Sequence, residues 1–329
     1  MKKWKMLVLL LSCCWMVCAA ATAETFTPGT AKCGKAYCYW ETPMDISNVE
    51  ALWSMLIQPM TTVKGDPREQ VVIRSEPSSA SPAIGEVTCY SQGVHVLEHM
   101  DNGWSRIECY SSSFKGSETE AWNKLLTGYI ETNLLQQFEV KTKYGLIVDK
   151  LTQRLYVFQD GALLDELAVS TGLPNADQPY NETRSGEYLL FSRTGAFPSD
   201  NLTCNYGMRF NAGDLLHEVP HTVGRDGTRN YSRTESKLGS RASHGCIRVQ
   251  RKRTVSGMNM RWIWEALSDQ MGTRIVIWED SIGRQMGYPS SDLCVYYNPN
   301  KGQYYHKAEK CYGVKDKYLP LQPLTYGEL

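Results

Sequence analysis

Apolar and polar positions alternate along most of this chain, so strands are predicted more often than helices. Between residues 67 and 139 the β-prone runs are Gln70–Arg74, Ile84–Cys89, Val94–Glu98 and Trp104–Glu108, with Gly128-Tyr129-Ile130 as a last strand. Asn102-Gly103, just before Trp104, supplies a hairpin turn. A second β-rich unit, 143–279, opens with Leu146–Asp149, Arg154–Gln159 and Ala162–Ser170, the last two joined across Asp160-Gly161. Glu187–Phe191 and Asp214–Glu218 continue it, and the nearly unbroken apolar run after Arg274 predicts a buried last strand ending at Trp278. Two segments show helical spacing instead. Val49, Leu52, Trp53 and Leu56 share a face behind a Ser47-x-x-Glu50 capping box, which predicts a packing helix in the N-terminal segment 24–66. Met260, Ile263, Trp264 and Leu267 recur at i, i+3, i+4 and i+7, with Gly272 closing that helix. The aromatic-rich segment 284–329 predicts a hairpin, Val295-Tyr296-Tyr297 returning as Gln303–His306 across Asn298–Gly302.

Composition narrows the class. With 42% hydrophobic residues, 11% aromatic and formal charge zero, the 329-residue chain is globular rather than a disordered tail. The balance hides an N-terminal asymmetry: Lys2, Lys3 and Lys5 precede an uncharged run, Met6–Ala23, that ends Ala21-Thr22-Ala23. A basic start, apolar middle and small-residue end predict a signal peptide over 1–23, cut after Ala23, rather than a membrane anchor. The chain is therefore expected to be exported, to the cell wall, periplasm or outside, with no stable membrane insertion after cleavage. Of 35 basic residues three lie in this leader, leaving 32 against 35 acidic ones, so no nucleic-acid partner is expected.

Eight of the eleven cysteines follow the leader. Short-range disulfides are expected for Cys33–Cys38, Cys89–Cys109 and Cys294–Cys311, with Cys204 the spare, because Cys246 has a better use. No metal or cofactor is expected: Cys294, Cys311 and His306 lack ligand spacing, and His95 and His99 read as ordinary surface or hairpin residues.

The stretch Ser243-His244-Gly245-Cys246-Ile247-Arg248 carries the chemistry. A nucleophilic cysteine needs a base in reach and backbone amides aimed at the developing oxyanion, and Gly245 permits close backbone approach. Around it, residues 222–261 hold ten basic residues against Asp226 and Glu235, a field expected to favour thiolate and attract an anionic substrate. His217, ending a strand-like run, His221, in a loop, and His244 are the candidate bases.

The Ser-His-Gly-Cys-Ile-Arg run resembles the signature of the L,D-transpeptidases, the YkuD-type catalytic domain. Leu155-Tyr156-Val157-Phe158, Ser170-Thr171-Gly172, Thr183–Tyr188, His217 and Gly272–Val276 match in order across 143–279. Arg184 and Tyr188 depart from the family's Pro and Phe, and an Arg-rich insertion over roughly 222–240 lengthens the gap before Ser243. The resemblance implies a mainly β chain with few helices, built on a catalytic β-sandwich. It implies Cys246 as nucleophile and His217, preferred over His221, as base, its second nitrogen held by a backbone carbonyl near Glu218. Gly245 and Cys246 amides would form the oxyanion hole, and Ser243, His244 and Arg248 would shape the site and bind stem-peptide carboxylates. It further implies 3→3 cross-linking of peptidoglycan stem peptides, as donor and acceptor, through a thioester, without metal, and acylation of the cysteine by carbapenems. Ile73–Pro77, Gly85-Glu86-Val87, Asn102-Gly103-Trp104 and Gly128-Tyr129-Ile130 resemble a bacterial Src-homology-3-like (SH3-like) barrel over 67–139. The alternatives are a wall-binding protein without catalysis, and a cysteine peptidase or L,D-carboxypeptidase acting on stem peptides.

Overall fold

The computed structural model describes residues 45–279, 290–300, 305–306, 308–310 and 314–328. The leader, the Cys33–Cys38 pairing and Cys311 lie outside the described residues. Helix α1 (Val49–Ile57) is followed by β1 (Met60–Val63), which pairs with β7 (Leu135–Phe138). Asn48, not Ser47, caps α1, its side chain accepting from the Ala51 amide at 3.2 Å. Ser47 instead bonds the Asp45 carboxylate, so the cap falls one residue later than the capping box predicts.

Between β1 and β7 lies an antiparallel five-stranded sheet: β2 (Gln70–Arg74), β3 (Ala83–Thr88), β4 (His95–His99), β5 (Trp104–Tyr110) and β6 (Leu125–Glu131), in the order β3-β2-β6-β5-β4. Its core holds Ile73, Val87, Ile107 and Ile130 together with Cys89 and Cys109. Both cysteines are free buried thiols, which corrects the expected disulfide. Two strands, β2 and β6, separate β3, which Cys89 follows, from β5, which holds Cys109, and a disulfide needs Cα atoms within about 7 Å.

The large sheet comprises β8 (Lys141–Asp149), β9 (Arg154–Gln159), β10 (Ala162–Ser170), β11 (Gly186–Leu189), β12 (Ser192–Ser199), β13 (Leu202–Asn211), β14 (Asp214–Glu218), β17 (Ile247–Val249) and β18 (Thr273–Trp278). Two short strands, β15 (Thr222–Val223) and β16 (Arg229–Asn230), and helix α2 (Ser232–Glu235) make up the Arg-rich insertion. Strand order is β11-β18-β8-β9-β10-β17-β14-β13-β12, with β8–β18 and β14–β17 parallel. The sheet folds back on itself: Tyr188 of β11 meets Phe210 of β13 edge-on, ring centroids 5.5 Å apart. Leu146, Val148, Leu155, Val157, Ile275 and Ile277 face the interior with Leu216, Ile247 and Val249, roofed by α3 (Met260–Ala266). Their neighbours Ile147, Tyr156, Phe158, Val276 and Trp278 face the other way, against Leu52, Met55 and Leu56 of α1. Burial on both faces is why these strands read as near-continuous apolar runs. The fold is mainly β, as expected.

The five-stranded sheet docks onto the free edge of β11. Gly93 donates to the Glu187 carbonyl and Leu189 to the Ser91 carbonyl, both at 2.8 Å, so main chain covers that edge. His95 is not a surface residue: it is 1% exposed, with Nε2 2.8 Å from the Glu187 carboxylate. Glu187 also faces Arg274, which donates to the carbonyls of Met55, Gln58 and Pro59. His99 stays at the hairpin, bonded to Ser105 at 2.8 Å. In the C-terminal segment β19 (Cys294–Tyr297) pairs with β20 (Gln322–Thr325), while His306 makes a single bridge to Tyr296. The expected return through 303–306 is met at that pair, Tyr296 and His306 exchanging both backbone hydrogen bonds at 2.9 and 2.7 Å, and β20 is a further, unexpected partner of β19; 301–304 lie outside the described residues. Among the described residues no helix is long and apolar enough to cross a membrane, and no metal-binding cluster occurs.

Candidate active site

Two adjacent parallel strands build the site. In the β14–β17 ladder Leu216 is level with Ile247 and His217 with Arg248, which sets Cys246, one residue before β17, beside Leu215. Leu216, Ile247 and Val249 point into the core, so Leu215, His217, Cys246 and Arg248 share the opposite face. The Leu215 amide donates to the Cys246 sulfur.

His217 is 2% exposed, and its Nδ1 lies 2.6 Å from the Glu218 carbonyl. A carbonyl only accepts, so Nδ1 carries the proton and Nε2 keeps its lone pair. Phe197 packs edge-on against the ring, centroids 5.4 Å apart. Burial first, with Arg248 adding to it, depresses the imidazole to about 4, against the opposing pull of the Glu218 carbonyl. His221 is set differently. It bridges Thr203 through backbone, stacks at 4.8 Å on Tyr231, and its Nδ1 has no hydrogen-bond partner among the described residues.

Burial first and then the Asp214 carboxylate push the Cys246 thiol up to about 12, outweighing the Leu215 amide and Arg248. The expectation that surrounding cations favour a resting thiolate is therefore corrected. Three of those ten cations are also paired: Arg241 with Glu182 and Glu279, Arg251 with Glu235, and Arg261 with Glu265. At rest the site holds a neutral thiol and a neutral imidazole.

The turn ahead of the sulfur is braced from several sides. Gly245 has φ +128°, and a Cβ there would sit 2.3 Å from Asp214 Oδ1, so only glycine fits. Ser243, 2% exposed, donates to the Cys246 carbonyl and receives a long 3.4 Å contact from the Gly245 amide. Its role is support of the turn. Thr183 donates to the Gly245 carbonyl at 2.6 Å and accepts from the Gly172 amide at 2.8 Å. A side chain on Gly172 would strike the Asn181 carbonyl at 2.0 Å, which accounts for the glycine of the Ser-Thr-Gly run. Beneath, the fully buried Lys150 donates to the Thr183 carbonyl at 2.7 Å and pairs with Glu182 and with Glu279 at 2.6 Å. Arg248 donates to the Ala242 carbonyl at 3.0 Å, and His244 is exposed at the mouth.

Asp214 and Lys150 carry no local motif, and sequence reasoning missed both. Asp214 is buried, pairs with Arg184 at 3.3 Å and abuts Gly245. The departure at Arg184 was the available signal, since a buried arginine requires a counter-charge. A cavity of about 530 Å³ opens onto Cys246, and a second of about 280 Å³ runs along Arg233, Lys237 and Arg248; His244 borders both.

Residues 143–277 match the family model of the YkuD L,D-transpeptidase catalytic domain. That stretch is an L,D-transpeptidase catalytic domain. Among solved structures, the L,D-transpeptidase from Stackebrandtia nassauensis is 22% identical (TM-score 0.29), covering 45% of this chain and 60% of that one. The one from Xylanimonas cellulosilytica is 19% identical (TM-score 0.29), covering 41% and 60%. An L,D-transpeptidase from Mycobacterium smegmatis is 14% identical (TM-score 0.32), covering 68% and 97%. The chain thus spans about 60% of the length of the first two, and at these scores the structural neighbours add nothing to the family match. No curated protein matches.

Proposed function

We propose that this chain is an exported peptidoglycan L,D-transpeptidase that forms 3→3 cross-links through a Cys246 thioester. The observation that carries the reading is the orientation of His217. Its Nδ1 proton is committed to the Glu218 carbonyl, which leaves Nε2 as a base on the face it shares with Cys246. A donor stem peptide would place the carbonyl between its third residue and D-alanine against the sulfur. Sulfur attacks as its proton passes to Nε2, so thiolate need not accumulate beforehand. Amides at Gly245 and Cys246 would hold the oxyanion. The imidazolium then protonates the departing D-alanine amine, and an acceptor amine resolves the thioester. His244 and Arg248 stand where a stem peptide would pass between the two cavities, and Ser243 keeps the turn in shape. No step calls on a metal or cofactor. Export rests on the leader pattern, and the five-stranded sheet is read as the SH3-like module of a wall enzyme.

The test pairs two histidine variants. His217→Ala should remove both cross-linking of defined muropeptides and the carbapenem adduct seen by intact mass. His221→Ala should retain most of both. The reverse outcome would reassign the base, and hydrolysis without cross-linking would make the chain an L,D-carboxypeptidase.

A further inference from the structure

One wall of the cavity in front of Cys246 lies outside the catalytic domain. Arg68, from the turn before β2, and Phe114 and Lys115, from the β5–β6 connection, line it together with Arg184 and Arg209. This connection is anchored. Arg184 donates to the Ser113 carbonyl at 2.9 Å, with its guanidinium 4.5 Å from the centre of the Phe114 ring. The Ser185 amide donates to Asn123 at 2.6 Å, and the Lys115 ammonium lies 5.5 Å from the centre of the Tyr180 ring. The wall is thus held against the segment that also braces Gly245.

Its charge is uncompensated. Among the described residues Asp214 is the one carboxylate lining the cavity, and it is occupied by Arg184. Arg209 donates to the Ala212 carbonyl at 2.6 Å. Arg68 and Lys115 have no carboxylate partner among the described residues. An exposed lysine or arginine is ordinarily a solvated charge and no more. Here two of them, brought from a different unit of the chain, share a concave site with the nucleophile, where a bound peptide would displace water around them.

We propose that Arg68 and Lys115 form a carboxylate-binding subsite for the acyl donor, so that the five-stranded unit sets the substrate preference of Cys246. This rests on the transpeptidase reading above. A peptide with its scissile carbonyl at the sulfur extends along the cavity, and an acidic group on its acyl side meets both cations. The two act as specificity residues through charge-assisted contacts and touch none of the reacting atoms.

The experiment compares a synthetic stem-peptide donor carrying its acyl-side carboxylate with the same peptide amidated there. The unaltered protein should prefer the carboxylate form in kcat/KM. The double variant Arg68→Ala/Lys115→Ala should cut that preference about tenfold, mainly through KM, whereas Lys115→Arg should retain it. The preference should also shrink with added salt. A double variant that keeps the original ratio, with an unchanged melting temperature, overturns the proposal. If the unaltered protein turns over neither peptide, the transpeptidase reading fails instead. Calorimetric binding of the two peptides to Cys246→Ala protein, with and without the double substitution, then decides the subsite by itself: equal affinity for both peptides overturns it.

Discussion

Cys109 in the five-stranded unit and Cys246 in the catalytic domain are both pushed up to about 12, in each case chiefly by burial. Their surroundings separate them. Cys109 is packed among Val63, Ile73, Ile107 and Ile130 in an apolar core. Cys246 borders a cavity, receives the Leu215 amide, and shares a sheet face with an imidazole whose tautomer is set. Resting acidity therefore does not mark the nucleophile here. On the proposed reading access and an oriented proton acceptor do, and the thiol would be activated when substrate arrives rather than before.

The largest expected effect contrasts the two thiols directly. Cys246→Ala should abolish the carbapenem adduct measured by intact mass, whereas Cys109→Ala should leave it intact. An adduct that persists without Cys246 would erase the distinction. Next comes Gly245→Ala. Its Cβ would strike Asp214 and its backbone is left-handed, so a displacement of about 1 Å should lower acylation about a hundredfold in a stopped-flow assay. Asp214→Asn should act more mildly, because the carboxylate that raises the thiol is gone; iodoacetamide should then label Cys246 several-fold faster at pH 8.

The smallest effect is in pH. An ordinary imidazole would lose most of its basic form between pH 7 and 5.5, but His217, depressed to about 4, should keep acylation nearly flat over that range. The sign for stability is opposite to that of a salt-bridged histidine. The unfolded chain takes up the proton first, so folded stability falls as pH drops from about 6.5 towards 4. A melting temperature unchanged between pH 7 and 5 would contradict a buried neutral His217.

Much of this was legible in the chain. Gln70–Arg74 and Arg154–Gln159 form strands with the predicted bounds, and positive φ at Asp160 and Gly161 makes the expected turn. The β12–β13 hairpin escaped notice because its strands are partly exposed, polar and twice bulged, so they lack clean alternation. His95 was misread for a related reason: its burial comes from a docking partner, Glu187, 92 residues away.

By itself the sequence determined the chemistry on offer: a cysteine behind a glycine, a histidine ending a strand, and apolar periods that dictate a β fold. Those are local properties, written in neighbouring residues. Only the tertiary structure decided that Cys246 rests as a thiol, that His217 rather than His221 has its proton fixed by a carbonyl, and that Arg68 and Lys115 face the same cavity as the sulfur. Each of these depends on burial or on charges brought together from distant segments, and desolvation and Coulomb energy follow distance in space rather than separation along the chain.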